Sequence, residues 1–332
     1  MRRGGAARDS GTAADGAGDA LEPDAAPGPD GAPDDGAVPD GAPPADGRSD
    51  VETTDAPLCT AGGVPGSCID VAECYGTRHP TAGLCPGPAE IQCCTPRYAV
   101  DCDPNAVPQP NAGLTEEAGE GSCLPGMIPV AAFCIDRFEA ALVEVLAGGD
   151  TVPWSPYFNP EGHRVRAVSL RGAVPQGYIN ETEAAAACAE AGKRMCTNTE
   201  WLRACQGPGG TTYPYGATRQ PGVCNDARAV HPAVELYGTS DVWIYSHIDS
   251  PCLNQLADGL ALTGDHAGCV TTEGVLDMVG NLHEWTADPA GTFRGGFYMD
   301  TVMNGDGCLY ATTAHDVSHW DYSTGFRCCA DQ

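Results

Sequence analysis

Eighteen cysteines in a 332-residue chain constrain its fold more than any other feature. Cytosolic chains rarely carry so many, because reducing pools keep thiols open, and the spacing here avoids the C-x-x-C of zinc ribbons and thioredoxin-like sites. The cysteines are therefore read as disulfides, and the compartment as extracytoplasmic: secreted, cell-surface or periplasmic. Met1 to Ser10 carries the positive charges of an export signal but no apolar core and no cysteine for lipidation. The expectation is a start downstream of the true one, with the export signal missing from this start. No apolar run reaches the ~18 residues that a membrane span needs, so no transmembrane segment is expected.

The formal net charge of −28 is spread along the whole length: residues 1–57 hold 13 acids against 4 arginines, and the remainder 32 against 13 lysines and arginines. Such a field repels polyanions, which excludes nucleic acid and anionic membranes as partners and suits calcium or cationic surfaces.

Four stretches follow from composition. Residues 1–57 repeat Pro-Asp-Gly-Ala variants, as in Gly28-Pro-Asp-Gly-Ala-Pro33 and Val38-Pro-Asp-Gly-Ala-Pro43. Too little of this is large and apolar to offset its ordering entropy, so a disordered, extended acidic tether is expected. Residues 58–95 hold Cys59, Cys68, Cys74, Cys85, Cys93 and Cys94, a segment too short for a self-sufficient core and therefore stapled. Residues 96–125, rich in Pro, Asn and Gly and containing Cys102 and Cys123, read as a linker. A larger domain spans 126–332.

Within that domain, Met127 to Ile135 is apolar enough for a buried strand, and Asp150 to Gly177, dominated by Pro, Gly and aromatics, reads as a long irregular loop. Asn180-x-x-Glu183 is a capping box opening a helix that Gly192 would end; Thr197-x-x-Glu200 opens a second, leading into Trp201, Leu202 and Ala204. Cys188 and Cys205 hang from these two helices, positioned to staple them to distant chain.

The densest candidate site is Glu273 to Asp288. Asp277 and Glu284 bracket Gly280 and Asn281, residue types that turn a backbone sharply and aim carbonyls inward. Calcium takes six to eight oxygens from such mixed sources. Equally, Val275, Leu276, Met278, Val279 and Trp285 could be core, with the acids capping a turn. A second candidate is His315-Asp-Val-Ser-His-Trp-Asp321, whose imidazoles stand four apart, the separation of two metal ligands on one helix face. Against that, exposed His/Asp loops are usually solvated. His283 reads as part of the core or of a groove wall.

Six motifs taken together resemble a known family. Ala187 to Trp201, Tyr213-Pro-Tyr-Gly216, Cys224-Asn-Asp226, Gly274 to Asp288, Arg294-Gly-Gly296 and Gly325-Phe-Arg-Cys328 run in the order of the formylglycine-generating enzymes, or sulfatase-modifying factors, over about residues 126–330. The resemblance implies an α+β, disulfide-rich variant of the C-type lectin fold with little regular secondary structure. It implies disulfides Cys188–Cys328 and Cys205–Cys308. The six-cysteine module, closing on Gly83-Leu-Cys-Pro-Gly-Pro-Ala-Glu-Ile-Gln-Cys-Cys94, resembles the clip domains beside secreted proteases, which implies Cys59–Cys93, Cys68–Cys85 and Cys74–Cys94. Eight cysteines remain for four more bonds, and Cys134–Cys329 and Cys252–Cys269 are the expected pairs.

The family also implies two calcium sites. One would use Asp277, the carbonyls of Gly280 and Leu282, and Glu284. The other would use Asn225 and the carbonyl of Asp226, with Asp265 and the carbonyl of Ala267. The family's copper, held by two cysteines after the Arg-Gly-Gly motif, is not expected here. In Arg294-Gly-Gly-Phe-Tyr-Met-Asp-Thr-Val-Met-Asn-Gly305 the first copper cysteine is replaced by Asp300, the second falls at Gly305, and the serine after the glycines is Phe297. A carboxylate and a glycine cannot form the soft thiolate pair that Cu(I) prefers.

Enzyme activity is accordingly not the favoured expectation. The expected protein is a monomeric, calcium-stabilised module binding a peptide, glycan or other surface ligand in a groove at Arg294, Tyr298, Met299, Asp300, His315, Trp320 and Tyr322. The alternatives are an oxidase or metal-dependent relative acting on protein cysteines, and a purely structural surface protein.

Overall fold

The computed structural model describes residues 56–61, 64–74, 78–96 and 102–332, so the expected tether lies almost wholly outside the described residues. Strands β1 (Leu58–Ala61), β2 (Val64–Asp70), β3 (Arg78–Thr81) and β4 (Ile91–Pro96) form an antiparallel sheet in the order β1-β2-β4-β3. Three disulfides close it, Cys59–Cys93, Cys68–Cys85 and Cys74–Cys94, the pairs that the clip resemblance implies.

The larger domain opens with β5 (Met127–Val130), β6 (Phe133–Asp136), β7 (Ala140–Val145), β8 (Thr151–Pro153) and β9 (Val165–Ser169). Then come α1 (Glu181–Glu190), β10 (Arg194–Met195), α2 (Asn198–Gln206) and α3 (Pro232–Tyr237). Five short strands finish it: β11 (His283–Trp285), β12 (Phe293–Arg294), β13 (Ala311–Thr312), β14 (Thr324–Phe326) and β15 (Cys328–Asp331). They assemble as β10-β15-β6-β5, β13-β12-β11-β14 and β8-β7-β9.

Two secondary-structure expectations need correction. Met127 to Ile135 is not one strand but a hairpin, broken where Ala131 takes φ +50° and the chain reverses. The stretch from Asp150 to Gly177 is not wholly irregular: β8 and β9 flank β7, and Val165, Ala167 and Val168 are buried. Pro156, Pro160 and Gly162 fall between β8 and β9, and Pro153 ends β8, an edge strand, so none interrupts the middle of the sheet.

Both helices begin at the expected caps. The Asn180 and Thr197 side chains accept from the N3 amides of Glu183 and Glu200 at 2.9 and 3.2 Å, and both glutamates accept the cap N–H in return. Gly192 takes φ +71° just past α1. The two helices carry Cys188, Trp201 and Cys205 inward, all fully buried.

Cys188–Cys328 and Cys205–Cys308 are formed, the pairs that the family implies. The other four bonds are Cys102–Cys252, Cys123–Cys134, Cys196–Cys329 and Cys224–Cys269. The expected Cys134–Cys329 bond is thus wrong, for a reason in the register. Strand β6 sets Cys134 opposite Ala330 and Ile135 opposite Cys329. Side chains alternate faces along a strand, so Cys134 and Cys329 point to opposite sides of that sheet. The expected Cys252–Cys269 bond is wrong as well: Cys252 ties residue 102 to the domain, and Cys269 closes on Cys224 with Cα atoms 4.7 Å apart.

The segment before β5 is bound to the domain, not merely linking to it. Besides its two disulfides, buried Asn111 exchanges hydrogen bonds of 2.8 Å with the Val174 backbone, and Glu116 accepts from Ser169 N at 2.9 Å. Among the described residues no helix is long and apolar enough to cross a membrane.

Candidate functional site

The loop leading into β11 is held in an unusual backbone. Asp277, Gly280 and Asn281 take φ +59°, +77° and +61°, and a side chain at Gly280 would stand 2.1 Å from the Asn225 carbonyl. Left-handed backbone is costly for Asp and Asn unless the surroundings enforce it. Here Asn281 provides the anchor. Its Oδ1 accepts from Asn225 Nδ2 and Ala261 N, both at 2.9 Å, while its Nδ2 donates to Glu139 Oε2 at 2.5 Å. Glu139 also accepts from Leu282 N at 3.1 Å. The candidate list drawn from sequence omitted Glu139, although its place in the apolar Phe133 to Leu142 run marked it as a carboxylate that would be buried.

Three carboxylates, Glu139, Asp277 and Glu284, and the guanidinium of Arg327 are buried together. Arg327 binds Glu284 through Nε and Nη2 at 2.7 and 2.6 Å and spends its remaining donors on the carbonyls of Leu276, Asp136 and Arg137. Trp201 Nε1 donates to Glu284 Oε2 at 2.7 Å, tying α2 to the loop. Asp277 Oδ2 accepts from Gly264 N at 2.8 Å. Burial, with the charges of Asp277 and Glu284 behind it, pushes Glu139 well above the usual carboxylate range. Burial likewise raises Asp277 to about 6, against the opposing pull of the Gly264 N–H and Arg327.

The two implied calcium sets fare differently. At the first, three buried carboxylates face one buried guanidinium, an excess of negative charge in a low-dielectric interior. The donors of Asp277, Gly280, Leu282 and Glu284 are all oxygen, the ligand type of a hard divalent cation, while both Glu284 oxygens already accept from Arg327 and Trp201. The second set does not fit. The Asp226 carbonyl already accepts from Arg219 Nη2 at 2.9 Å, and its carboxylate accepts from Arg219 Nε and Gly222 N at 3.1 and 2.8 Å. Asp265 and Ala267 are exposed on a separate turn.

At the positions of the family's copper ligands, Asp300 is buried. Its Oδ1 caps the Val302 and Met303 amides at 2.9 and 3.0 Å, and its Oδ2 has no partner. Gly305 takes φ +111°, and Phe297 lies buried in contact with Tyr298, Tyr322 and His283, ring centroids 5.4, 6.0 and 4.9 Å away. All eighteen cysteines are in disulfides, and no thiol is free.

The expected groove is not there as drawn. Tyr298 and Tyr322 are core residues, their hydroxyls meeting Asn254 Oδ1 at 3.2 Å and His231 Nε2 at 3.1 Å, and burial pushes both phenols up. Asp300 and His315 are buried too, leaving Arg294, Met299 and Trp320 partly exposed. Arg294 Nε is fixed on Asn198 Oδ1 at 2.7 Å, and its guanidinium stands 6.0 Å over the Trp201 ring.

His315 and His319 lie in a turn, not on a helix face, with rings stacked at 3.8 Å, and His319 Nε2 meets Asp321 Oδ2 at 3.2 Å. They do not join a third ligand: among the described residues, three His, Cys, Asp or Glu side chains come within metal-binding range only at Cys59, Cys68 and Cys85, and those sulfurs are disulfide-bonded.

Residues 127–332, well over half of the chain, match the sulfatase-modifying factor enzyme 1-like domain, the FGE-sulfatase family. The chain belongs to this family. Its fold is the mixed α/β, disulfide-rich architecture of the formylglycine-generating type. Three solved structures are similar to it at low identity. PvdO from Pseudomonas aeruginosa is 13% identical, with TM-score 0.37 over 60% of this chain and 80% of that one. The Major Tropism Determinant U1 variant is 16% identical, with TM-score 0.34 over 64% of this chain and 54% of that one, so this chain spans about half its length. CarF is 16% identical, with TM-score 0.32 over 67% and 94%. No curated protein matches the sequence. Nine disulfides are the cysteine usage of an extracytoplasmic protein.

Proposed function

We propose that this family member has lost the copper-dependent oxidation of protein cysteines and serves as an exported or surface-tethered binding module on a calcium-stabilised scaffold. The observation that carries the reading is the full commitment of its cysteines: with eighteen in nine bonds, no thiolate remains to hold Cu(I). Asp300, at the position of the first copper cysteine, is a hard ligand and is spent on capping a turn. Phe297 and Tyr298 fill the space beside it with packed rings.

Calcium would be held by Asp277, Glu284 and the Gly280 and Leu282 carbonyls, and its charge would balance the buried carboxylates. Its role is structural, since the loop is anchored by Asn281 and Glu139 in the interior. The ligand of the module is a peptide, a glycan or another surface molecule.

The test is aerobic incubation of the oxidised, purified chain with copper and a Cys-x-Pro-x-Arg peptide, followed by mass spectrometry. The peptide is expected to keep its mass. A loss matching conversion of its thiol to an aldehyde would overturn the proposal.

A further inference from the structure

A surface cleft of ≈620 Å³ lies between β8, the turn that follows it, and the segment around Val107 and Gln109. That volume is within the ~300–1,000 Å³ of small-molecule sites. It is far from an accident of one exposed ring, because four apolar side chains, Val152, Pro153, Trp154 and Phe158, wall it together with Val107. The indole is half-buried and held in place: its Nε1 donates to Phe158 O at 3.0 Å, and the His163 ring packs on it with centroids 4.6 Å apart.

Polar groups stand among these walls. Ser155 lines the cleft at 2% exposure, and its Oγ has no hydrogen-bond partner. A buried hydroxyl normally finds a partner, so this Oγ, itself buried, calls for an ordered water or, after a small shift of the wall, a ligand hydroxyl. Glu144 Oε1 holds His163 Nδ1 at 2.8 Å, which leaves the second atom of each group for another contact, and the exposed amide of Gln109 completes the rim.

A saccharide ring has this pattern of needs: an apolar face against an aromatic wall and hydroxyls toward amide, carboxylate, imidazole and hydroxyl groups. Two other classes fit less well. An extended peptide would add to the free edge of β8, but Trp154 N donates inward to Leu142 O at 3.2 Å. By alternation the outward positions are then Thr151 and Pro153, and Pro153 has no N–H to offer. An anionic ligand meets the wrong field. An adjoining cleft of ≈410 Å³, also lined by His163, carries Glu161, Glu183 and Glu190, and its Arg164 is already tied to Glu190 at 2.5 and 3.0 Å.

We infer that the Trp154 cleft binds a neutral saccharide, with the ring on the Trp154 and Phe158 wall and a hydroxyl on Ser155 Oγ. The inference rests on the reading of this chain as a binding module, and it moves the ligand away from the former copper site.

The full chain, with its disulfides intact, is presented with cellobiose, maltotriose, chitobiose and mannotriose, and binding is read by saturation-transfer NMR; 3′-sialyllactose and a decapeptide library serve as the anionic and peptide probes. At least one neutral saccharide is expected to bind, and Trp154→Ala to weaken it about tenfold or more, the loss typical of a central aromatic contact. Since Trp154→Ala could disturb folding, Val107→Arg, at a position 58% exposed on the rim, blocks the cleft from outside and should have the same effect. Absence of neutral-saccharide binding, binding that ignores both variants, or preference for the peptide or anionic probe would each overturn the inference. Oxidation of the Cys-x-Pro-x-Arg peptide would instead remove the reading beneath it, so the two failures are distinct.

Discussion

Arg327→Met tests the charge balance of the site directly. Arg327 is fully buried and makes a two-point ion pair with Glu284, with Glu139 and Asp277 buried alongside. Removing one partner of a buried pair typically costs about 3–5 kcal/mol, because the carboxylate left behind is uncompensated. For a domain of this size each kcal/mol shifts Tm by roughly 2–4 °C, so a drop of about 6–20 °C is expected by calorimetry in EGTA at pH 7. Two features separate this from ordinary loss of packing. Arg327→Met/Glu284→Gln should be more stable than Arg327→Met alone, since the second change removes the stranded charge. Millimolar calcium should raise the Tm of Arg327→Met more than that of the wild type, because the ion then stands in for the missing cation. If the single variant lost less than about 1 kcal/mol, or if the double variant were the less stable, Arg327 would not be balancing this cluster.

Two further outcomes follow from neighbouring groups. His283 is buried among Phe293, Phe297 and Tyr310, its Nδ1 has no partner, and burial lowers its pKa to about 3 from 6.5. A base depressed in the folded state gives stability that is complete above the unfolded pKa and declines as pH falls below it. Between pH 7 and pH 5 the deficit is therefore about 1.5 pH units, or ~2 kcal/mol, and His283→Phe should lose that much less over the same range in urea titrations; identical pH slopes would dismiss the effect. Peptide mapping without reduction should recover Cys123–Cys134 and Cys196–Cys329, and replacing both Cys196 and Cys329 with Ala should cost about 2–5 kcal/mol. A Cys134–Cys329 cross-linked peptide would contradict the register of β6 and β15.

Local chemistry was the legible part of this fold. Asn180-x-x-Glu183 and Thr197-x-x-Glu200 mark both helix starts because a capping box is satisfied within four residues. The Cys188–Cys328 and Cys205–Cys308 pairs came through family resemblance, since no spacing rule selects among eighteen cysteines. What stayed hidden depends on distant chain. Whether Cys134 can meet Cys329 is decided by a one-residue register between strands nearly two hundred residues apart. Glu139 was not among the expected site residues, and only the arrival of Asn281 and Leu282 from the far end of the domain makes it the anchor of the acidic loop. The β8-β7-β9 sheet was missed because its middle strand lies outside the Pro/Gly-rich stretch that supplies its two neighbours.

The aromatic residues around Asp300 are what leads the proposed reading to seek function elsewhere on this domain. Phe297 stands where the family has a serine, and its ring packs on Tyr298, Tyr322 and His283. Tyr322 in turn engages His231, and Tyr298 engages Asn254, so both hydroxyls are satisfied inside the protein. Buried aromatic rings of this kind contribute their stability through dense packing, and opening a groove among them would expose several rings at once. On the proposed reading, a domain with its active site filled in this way keeps the scaffold and presents its contacts on the surface. The half-buried Trp154, fixed by Phe158 and His163 in a cleft that Ser155 also lines, keeps an apolar wall beside polar groups, which is what the proposed saccharide would use.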